Sequence, residues 1–261
     1  MIPQRQRRPE RRGCSGERVR LDFGAGNPTR ERIVRTLLIY IVLLAAKSFS
    51  RLFYRHHLRW IGTPPDDPWA DLRLVVILNH TSLFEWLFTG SVPNRFLWRT
   101  ARHAVIPVAD KTLARPVIGR FFRLVGQHVV PVTRKADESW RQLLQRVDPK
   151  GMVIILPEGR MKRQSGLDME GRPMTVRGGV ADIFEGLSEG RMLFAYSGGL
   201  HHIQAPGEQL PRLFKHIHLS IENLDVIEYR QKLERDSSVR PVKQRMKVDL
   251  ERRKALWAVP F

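Results

Sequence analysis

Leu72-Arg-Leu-Val-Val-Ile-Leu78 runs directly into Asn79-His80-Thr81-Ser82-Leu83-Phe84-Glu85, and Met152-Val-Ile-Ile-Leu156 runs directly into Pro157-Glu158-Gly159-Arg160. Each begins as a short apolar run rich in β-branched residues, the pattern of a buried strand, and each run stops at a polar, turn-forming block. Working outward from this pair, further strand-like segments fall at Arg95–Trp98, His128–Val132, Met192–Tyr196 and His216–Ile221. Pro131 cannot donate to a ladder, which places the His128–Val132 strand at an edge or puts its end there. Helical spacing of apolar residues interleaves with the strands at Ser82–Gly90, Leu113–Leu124 (opening near Pro116), Glu138–Val147 and Val180–Leu187. Alternation of this kind predicts an α/β fold, a mostly parallel central sheet flanked by helices. No repeat recurs at a fixed period.

The 261 residues include 42% hydrophobic and 27% charged residues, too much apolar material for a disordered chain. Cys14 is the only cysteine, so an internal disulfide and a thiolate-rich zinc site are excluded. The formal charge is +19, and it sits at the ends. Residues 1–60 carry fourteen Lys and Arg against four acids, and residues 230–254 carry ten against four. A basic catalytic channel would have charged the middle; basic ends suit something large and negative, whether nucleic acid, an anionic membrane surface or an acidic carrier protein.

Residues 1–29 read as a flexible basic tail. Residues 30–60 read as a membrane-associated helical segment built on Leu37-Leu-Ile-Tyr-Ile-Val-Leu-Leu-Ala-Ala46. That run is shorter than the ~20 residues that span a bilayer. Its flanks Arg35, Lys47, Arg51 and Arg55 and the nearby Tyr54 and Trp60 suit a helix in the headgroup region, with basic stems snorkelling to phosphates. A buried core helix would carry the same ten apolar residues. The position of the run, and the bases that follow it, predict no signal peptide. Residues 61–224 form the α/β domain, and 225–261 a basic, helical C-terminal extension.

The chemistry is expected where the two strands end, because open α/β sheets build sites beyond the carboxyl ends of their strands. With His80 in the loop and a helix starting near Ser82, Glu85 in the first turn can reach back to the imidazole. A carboxylate on one ring nitrogen fixes the tautomer and leaves the other nitrogen to act as a general base. Ser82-x-x-Glu85 also spells a capping box, in which Glu85 would serve a backbone N–H instead. In the second block Gly159 permits close backbone approach to a ligand, Arg160 offers a planar fork for a phosphate, and Glu158 could position either; ordinary turn chemistry would use the same residues.

Together, in this order and spacing, the two blocks resemble the glycerolipid and lysophospholipid acyltransferase family, over about Leu72 to Leu224. The resemblance implies direct transfer of a fatty acyl group from a thioester to a hydroxyl of a lysophospholipid or related glycerophosphate acceptor. It makes His80 the general base and Glu85 its orienting carboxylate, with Asn79, Glu158, Gly159 and Arg160 binding substrate and Arg160 on the acceptor phosphate. It also implies acyl-CoA or an acyl-carrier protein as donor, no cofactor, and a place on the cytoplasmic face of the membrane beside anionic lipids. This sequence has Glu85 where the family usually has Asp. Arg160 directly follows Gly159, so Lys162 or Arg163 could share the phosphate role. Gly126 and Arg134 resemble the family's intermediate block with two extra residues, and Leu193-Phe-Ala-Tyr196 lacks the proline of its last block. Departures of this kind could also mark a catalytically silent membrane-bound relative.

A nucleic-acid-binding protein would use the same basic ends, yet no recognition motif accompanies them, and no nucleic acid is expected as a partner. A metal site is not expected either. His56-His57 and His201-His202 are adjacent pairs that split across faces, and His216 and His218 share a strand face without an evident third ligand.

Overall fold

The computed structural model describes residues 28–109, 129–132, 151–235 and 240–258. The expected helices at Leu113–Leu124 and Glu138–Val147, Gly126 and Arg134, and nearly all of the basic tail lie outside these residues. Helix α1 (Pro28–Phe53) leads into β1 (Arg55–Trp60), then β2 (Leu72–Leu78), a 3-10 helix (Glu85–Ser91), α2 (Asn94–His103), β3 (Ala104–Ala109), β4 (Val129–Val132) and β5 (Met152–Ile155). Helix α3 (Gly179–Glu185), β6 (Arg191–Ser197), β7 (His216–Asp225), α4 (Val226–Arg235) and α5 (Val242–Trp257) complete the described chain.

The strands form one sheet in the order β1-β7-β6-β2-β5-β3-β4. Every neighbouring pair is parallel except β6 and β7, so β7 and β1 run against the other five. The expectation of a mostly parallel sheet is borne out, and the Pro131 strand β4 closes one edge of the described sheet. Both faces are covered, which is why β2 and β6 read as nearly continuous apolar runs. One face packs Leu74, Val76, Leu78, Val153 and Ile155 against Val180 and Phe184 of α3, Tyr229 of α4 and Leu250 of α5. The other packs Val75, Leu193, Ile217 and Leu219 against Leu87, Phe96 and Leu97. The basic residues after 225 thus clothe two helices whose inner sides, Val226, Tyr229, Leu233, Met246 and Leu250, belong to the core.

Arg95–Trp98 is not a strand. It lies in α2, which opens after Pro93 and buries Phe96, Leu97 and Ala101 along one side at helical spacing. Residues Ser82–Phe84 are outside any helix, and only Glu85–Ser91 turns, as a 3-10 helix. Strands β1 and β3 had no clear signature: β1 alternates exposed and half-buried residues, as a strand with one partner does.

The apolar run near the N-terminus is part of a longer helix than its ten residues suggested. Thr29–Phe53, whose most apolar 18-residue stretch has a mean hydropathy of 1.8, is long and apolar enough to cross a membrane. One side of α1 is nevertheless engaged by the domain. Lys47 Nζ donates to the Val92 carbonyl (2.7 Å) and Asn94 Oδ1 (2.6 Å), Ser50 Oγ donates to the Leu87 carbonyl (2.7 Å), and Tyr40 meets Trp98 edge-on at 5.1 Å. His56 joins α1 to β1 and the 3-10 helix through Ser50 Oγ (3.0 Å) and Ser91 Oγ (2.9 Å). The other side exposes Ile33, Val34, Leu37, Leu38, Ile41 and Leu52.

Pairing of β1 with β7 corrects one reading of the histidines. His57 is the register partner of His218, so a third imidazole does stand beside His216 and His218.

Candidate active site

Three parallel neighbours, β6, β2 and β5, end at one edge of the sheet, where Leu78 lies beside Tyr196 and Val76 beside Ile155. Asn79 leaves β2 with φ of +68°, a left-handed turn that Asn tolerates better than bulkier residues. Its amide Nδ2 donates to the Ser197 carbonyl at 2.9 Å, tying the end of β2 to the end of β6. Asn79 is buried; its side-chain amide is spent on the Ser197 carbonyl and its backbone N–H on the Glu158 carboxylate.

His80 follows, and its Nδ1 lies 2.5 Å from Glu85 Oε2. The other oxygen of Glu85 accepts the backbone N–H groups of Thr81 (2.8 Å) and Ser82 (3.4 Å). The capping and orienting readings therefore describe one carboxylate, with one oxygen for each task. Thr81 and Ser82 brace the loop from below: Thr81 Oγ1 accepts the Leu200 N–H (2.7 Å), and Ser82 Oγ donates to Gln204 Oε1 (2.7 Å). Gly199, at φ +94°, lets the loop after β6 come close to Thr81 and Asn79.

Burial alone would push the His80 imidazole down. The adjacent charge of Glu85, its hydrogen bond and the charge of Glu158 outweigh that, and the ring ends above the ordinary histidine value. The ring thus has a carboxylate partner at Nδ1, while the described hydrogen bonds leave Nε2 for something else.

The second block underlies the first. Glu158 is only 3% exposed, and its oxygens accept the backbone N–H of Asn79 (3.0 Å) and of His80 (2.8 Å). Lys254, from α5, reaches Glu158 at 3.2 Å. Gly159 turns with φ of +66°, and a Cβ there would meet Arg177, whose Nε donates to the Glu158 carbonyl at 3.0 Å. The chain then returns, and the Lys162 N–H donates to the His80 carbonyl at 2.7 Å. Arg160 is held by Asp168 and, at 3.0 Å, by Glu170; its Nε is buried without a hydrogen-bond partner among the described residues. His80, Glu85, Asn79 and Glu158 are thus hydrogen-bonded together, whereas the ion pairs of Arg160 are with Asp168 and Glu170.

Asp168, Glu170 and Lys254 were missed in the sequence. Asp168 sits in a loop with Gly166 and Gly171, which signals only a turn, and Lys254 is one base among many. A recess between α1 and α2, lined by Leu44, Lys47, Ser48, Arg51 and Asn94, does not include His80.

Residues 65–190 match the Acyltransferase family model, and both blocks lie inside the match. The matched segment resembles an acyltransferase domain. Over this segment, the family resemblance drawn from the two blocks is borne out. The chain is also similar to the crystal structure of the 1-acyl-sn-glycerophosphate (LPA) acyltransferase PlsC from Thermotoga maritima, at 15% identity and a TM-score of 0.49 over 87% of each chain. No curated protein matches the sequence.

Proposed function

We propose that this protein moves a fatty acyl group from acyl-CoA or an acyl-carrier protein to a free hydroxyl of a lysophospholipid or related glycerophosphate. The observation that carries the reading is the His80–Glu85 pair held at the common edge of three parallel strands. Glu85 fixes the proton on Nδ1, so Nε2 carries the lone pair that accepts the acceptor's hydroxyl proton. The resulting oxygen attacks the thioester carbonyl. The tetrahedral intermediate collapses and expels the thiolate, which takes the proton back from His80 and leaves as a free thiol. No covalent acyl-enzyme is needed, and neither a metal nor a cofactor takes part.

Arg160 serves the acceptor phosphate. Its Nη1 is fixed by Asp168 and Glu170, and its Nε, unpartnered among the described residues, lies on the side of the guanidinium from which a bidentate phosphate contact is made. Asn79 and Glu158 contribute by shaping the turn that presents His80.

The protein works while lying on the cytoplasmic face of an anionic membrane. A row of aromatic rings runs from α1 toward the His80 loop, with Phe49, Trp86 and Phe214 exposed and Phe53 and Phe84 half-buried beneath them: Phe49 meets Trp86 at 5.7 Å, Trp86 meets Phe84 at 6.0 Å, and Phe53 meets Phe214 at 5.8 Å. The domain grips α1 from Ile39 to Ser50, so a spanning helix would draw polar contacts of the domain into the hydrocarbon. In-plane binding avoids that cost.

The test is acyl transfer by the full chain to lysophosphatidate, other lysophospholipids and glycerol 3-phosphate, with each donor class in turn. Turnover that is lost in His80→Ala, with an unchanged circular dichroism spectrum, supports the assignment. Absence of turnover with every pair, or full activity in His80→Ala, overturns it.

A further inference from the structure

Outside the acyl-transfer site, one side-chain cluster offers a built arrangement of donor atoms. His57 on β1 and His218 on β7 are partners in the parallel register, and His216 lies two residues before His218, on the same side of the sheet. All three are exposed, and each offers a ring nitrogen within 4.8 Å of the other two. His57 Nε2 lies 2.8 Å from His216 Nδ1, and the His57 ring stacks on those of His216 and His218 at 5.0 and 4.5 Å between centroids. Ring nitrogens bound ~2.0–2.1 Å from a tetrahedral metal stand about 3.4 Å apart. The one closest pair is shorter than that and all three nitrogens lie within 4.8 Å, so binding turns the rings out of their stack until the three in-plane lone pairs converge on one ion.

We propose that His57, His216 and His218 form a site for a late first-row divalent metal ion of the zinc, nickel and copper class. Three imidazoles without a thiolate or carboxylate select such ions over magnesium or calcium, which take oxygen donors. The exposed face leaves a fourth position for water. His202 Nε2 bonds the His216 carbonyl at 2.7 Å and fixes the backbone that carries one ligand. The surroundings are basic, with Arg55 and Lys215 next along the two strands, so affinity comes from nitrogen donor strength and belongs in the micromolar range rather than below it.

The site bridges residues 159 positions apart in sequence. Strand β1 is at the edge of the described sheet with β7 as its partner, and it hangs directly from α1. A metal held across β1 and β7 staples the strand that follows the membrane-facing helix to the sheet that carries His80. The inference concerns residues that the acyl-transfer reading does not use, so it stands or falls independently of that reading.

The experiment titrates the full chain, produced without a histidine tag, with Zn2+ by calorimetry and with Co2+ by visible absorption. The expected result is one ion per chain, cobalt bands of tetrahedral type, and a rise in Tm of about 5 °C at a hundredfold excess over Kd. His57→Gln, His216→Gln and His218→Gln each lower affinity by more than the ~10–100-fold typical of losing an outer-shell partner, while His201→Gln leaves it unchanged. Wild-type protein that binds neither ion, or binding that survives the triple His→Gln substitution, overturns the proposal.

Discussion

Glu85 performs two tasks with two oxygens, and one substitution separates them. In Glu85→Gln the amide oxygen can still accept from Thr81 and Ser82, whereas the charge beside His80 is gone. A general base at His80 works only when neutral, and in the wild type its pKa is raised above 6.5. Turnover (kcat/KM) is therefore expected to climb with pH through an inflection above 6.5. In Glu85→Gln the charge that most opposes burial is gone and only that of Glu158 remains, so the inflection moves to lower pH while the plateau falls about 10²-fold, as expected for losing part of a general base's contribution. A pH–rate profile of both proteins checks this; an unmoved inflection would refute Glu85 as the orienting group. The stability effect has the opposite pH dependence. A group whose folded pKa is raised stabilises fully below its unfolded pKa and loses that contribution as pH rises through the folded one. The Tm gap between wild type and Glu85→Gln should thus be widest in acid and shrink above neutrality. For Arg160→Ala, removal of a charge-assisted contact worth ~1.5–3 kcal/mol should raise the acceptor KM about 10–100-fold and leave kcat nearly unchanged. Steady-state kinetics over acceptor concentration tests it, and a fall in kcat alone would argue against phosphate binding.

The motif pair was legible because each block directly follows a strand of clear composition, and five residues from His80 to Glu85 suffice for a local contact. The tasks of Glu158 and Lys254 were not. Glu158 serves the backbone of residues nearly eighty positions earlier, and Lys254 reaches it from 96 positions later; neither distance leaves a local trace. Arg95–Trp98 failed for a related reason: four residues cannot distinguish a strand from the helix that buries Phe96, Leu97 and Ala101. Strand β7 was legible as a strand, but its reversal against β6 depends on the connection before it rather than on its own residues. The α5 contact carries its own expectation. Lys254→Met leaves the nearly buried Glu158 without its cation, and since Lys254 keeps some solvent, the cost should fall below the ~3–5 kcal/mol of breaking a fully buried pair. Activity should drop with stability, because Glu158 holds the N–H groups of Asn79 and His80. Combining Lys254→Met with Glu158→Gln should cost less than the sum of the two single changes in a denaturation cycle. Strict additivity would mean that α5 supports the site by packing alone.

Charge and exposed apolar surface converge on one side of the N-terminal half. Arg30, Arg32, Arg35, Arg51 and Arg55 are exposed on or just after the helix that presents Ile33, Leu37, Leu38 and Ile41. Leu52 and Phe214, each 72% exposed, continue that surface toward Trp86, next to Glu85. Two forces follow, with different salt dependence. Each Lys or Arg near an anionic surface contributes ~1 kcal/mol that salt screens, while burying an apolar side chain contributes up to ~1.5–3 kcal/mol that salt leaves intact. Binding to vesicles containing anionic lipid should therefore weaken between low and physiological salt yet level off above zero. Purely electrostatic binding, as to duplex DNA, would keep falling. Replacing Leu52, Trp86 and Phe214 together by Ser should remove the plateau and preserve the steep part. At ~1.4 kcal/mol per decade, even partial insertion of three such side chains amounts to more than a tenfold change in partitioning. Vesicle flotation across a salt series, with acyl transfer to monomeric and to membrane-embedded acceptors measured in parallel, distinguishes the outcomes. If the surface delivers His80 to its acceptor, the triple variant loses activity on the embedded substrate and keeps it on the monomeric one. Equal loss on both would mean that these side chains support the catalytic loop and not the membrane.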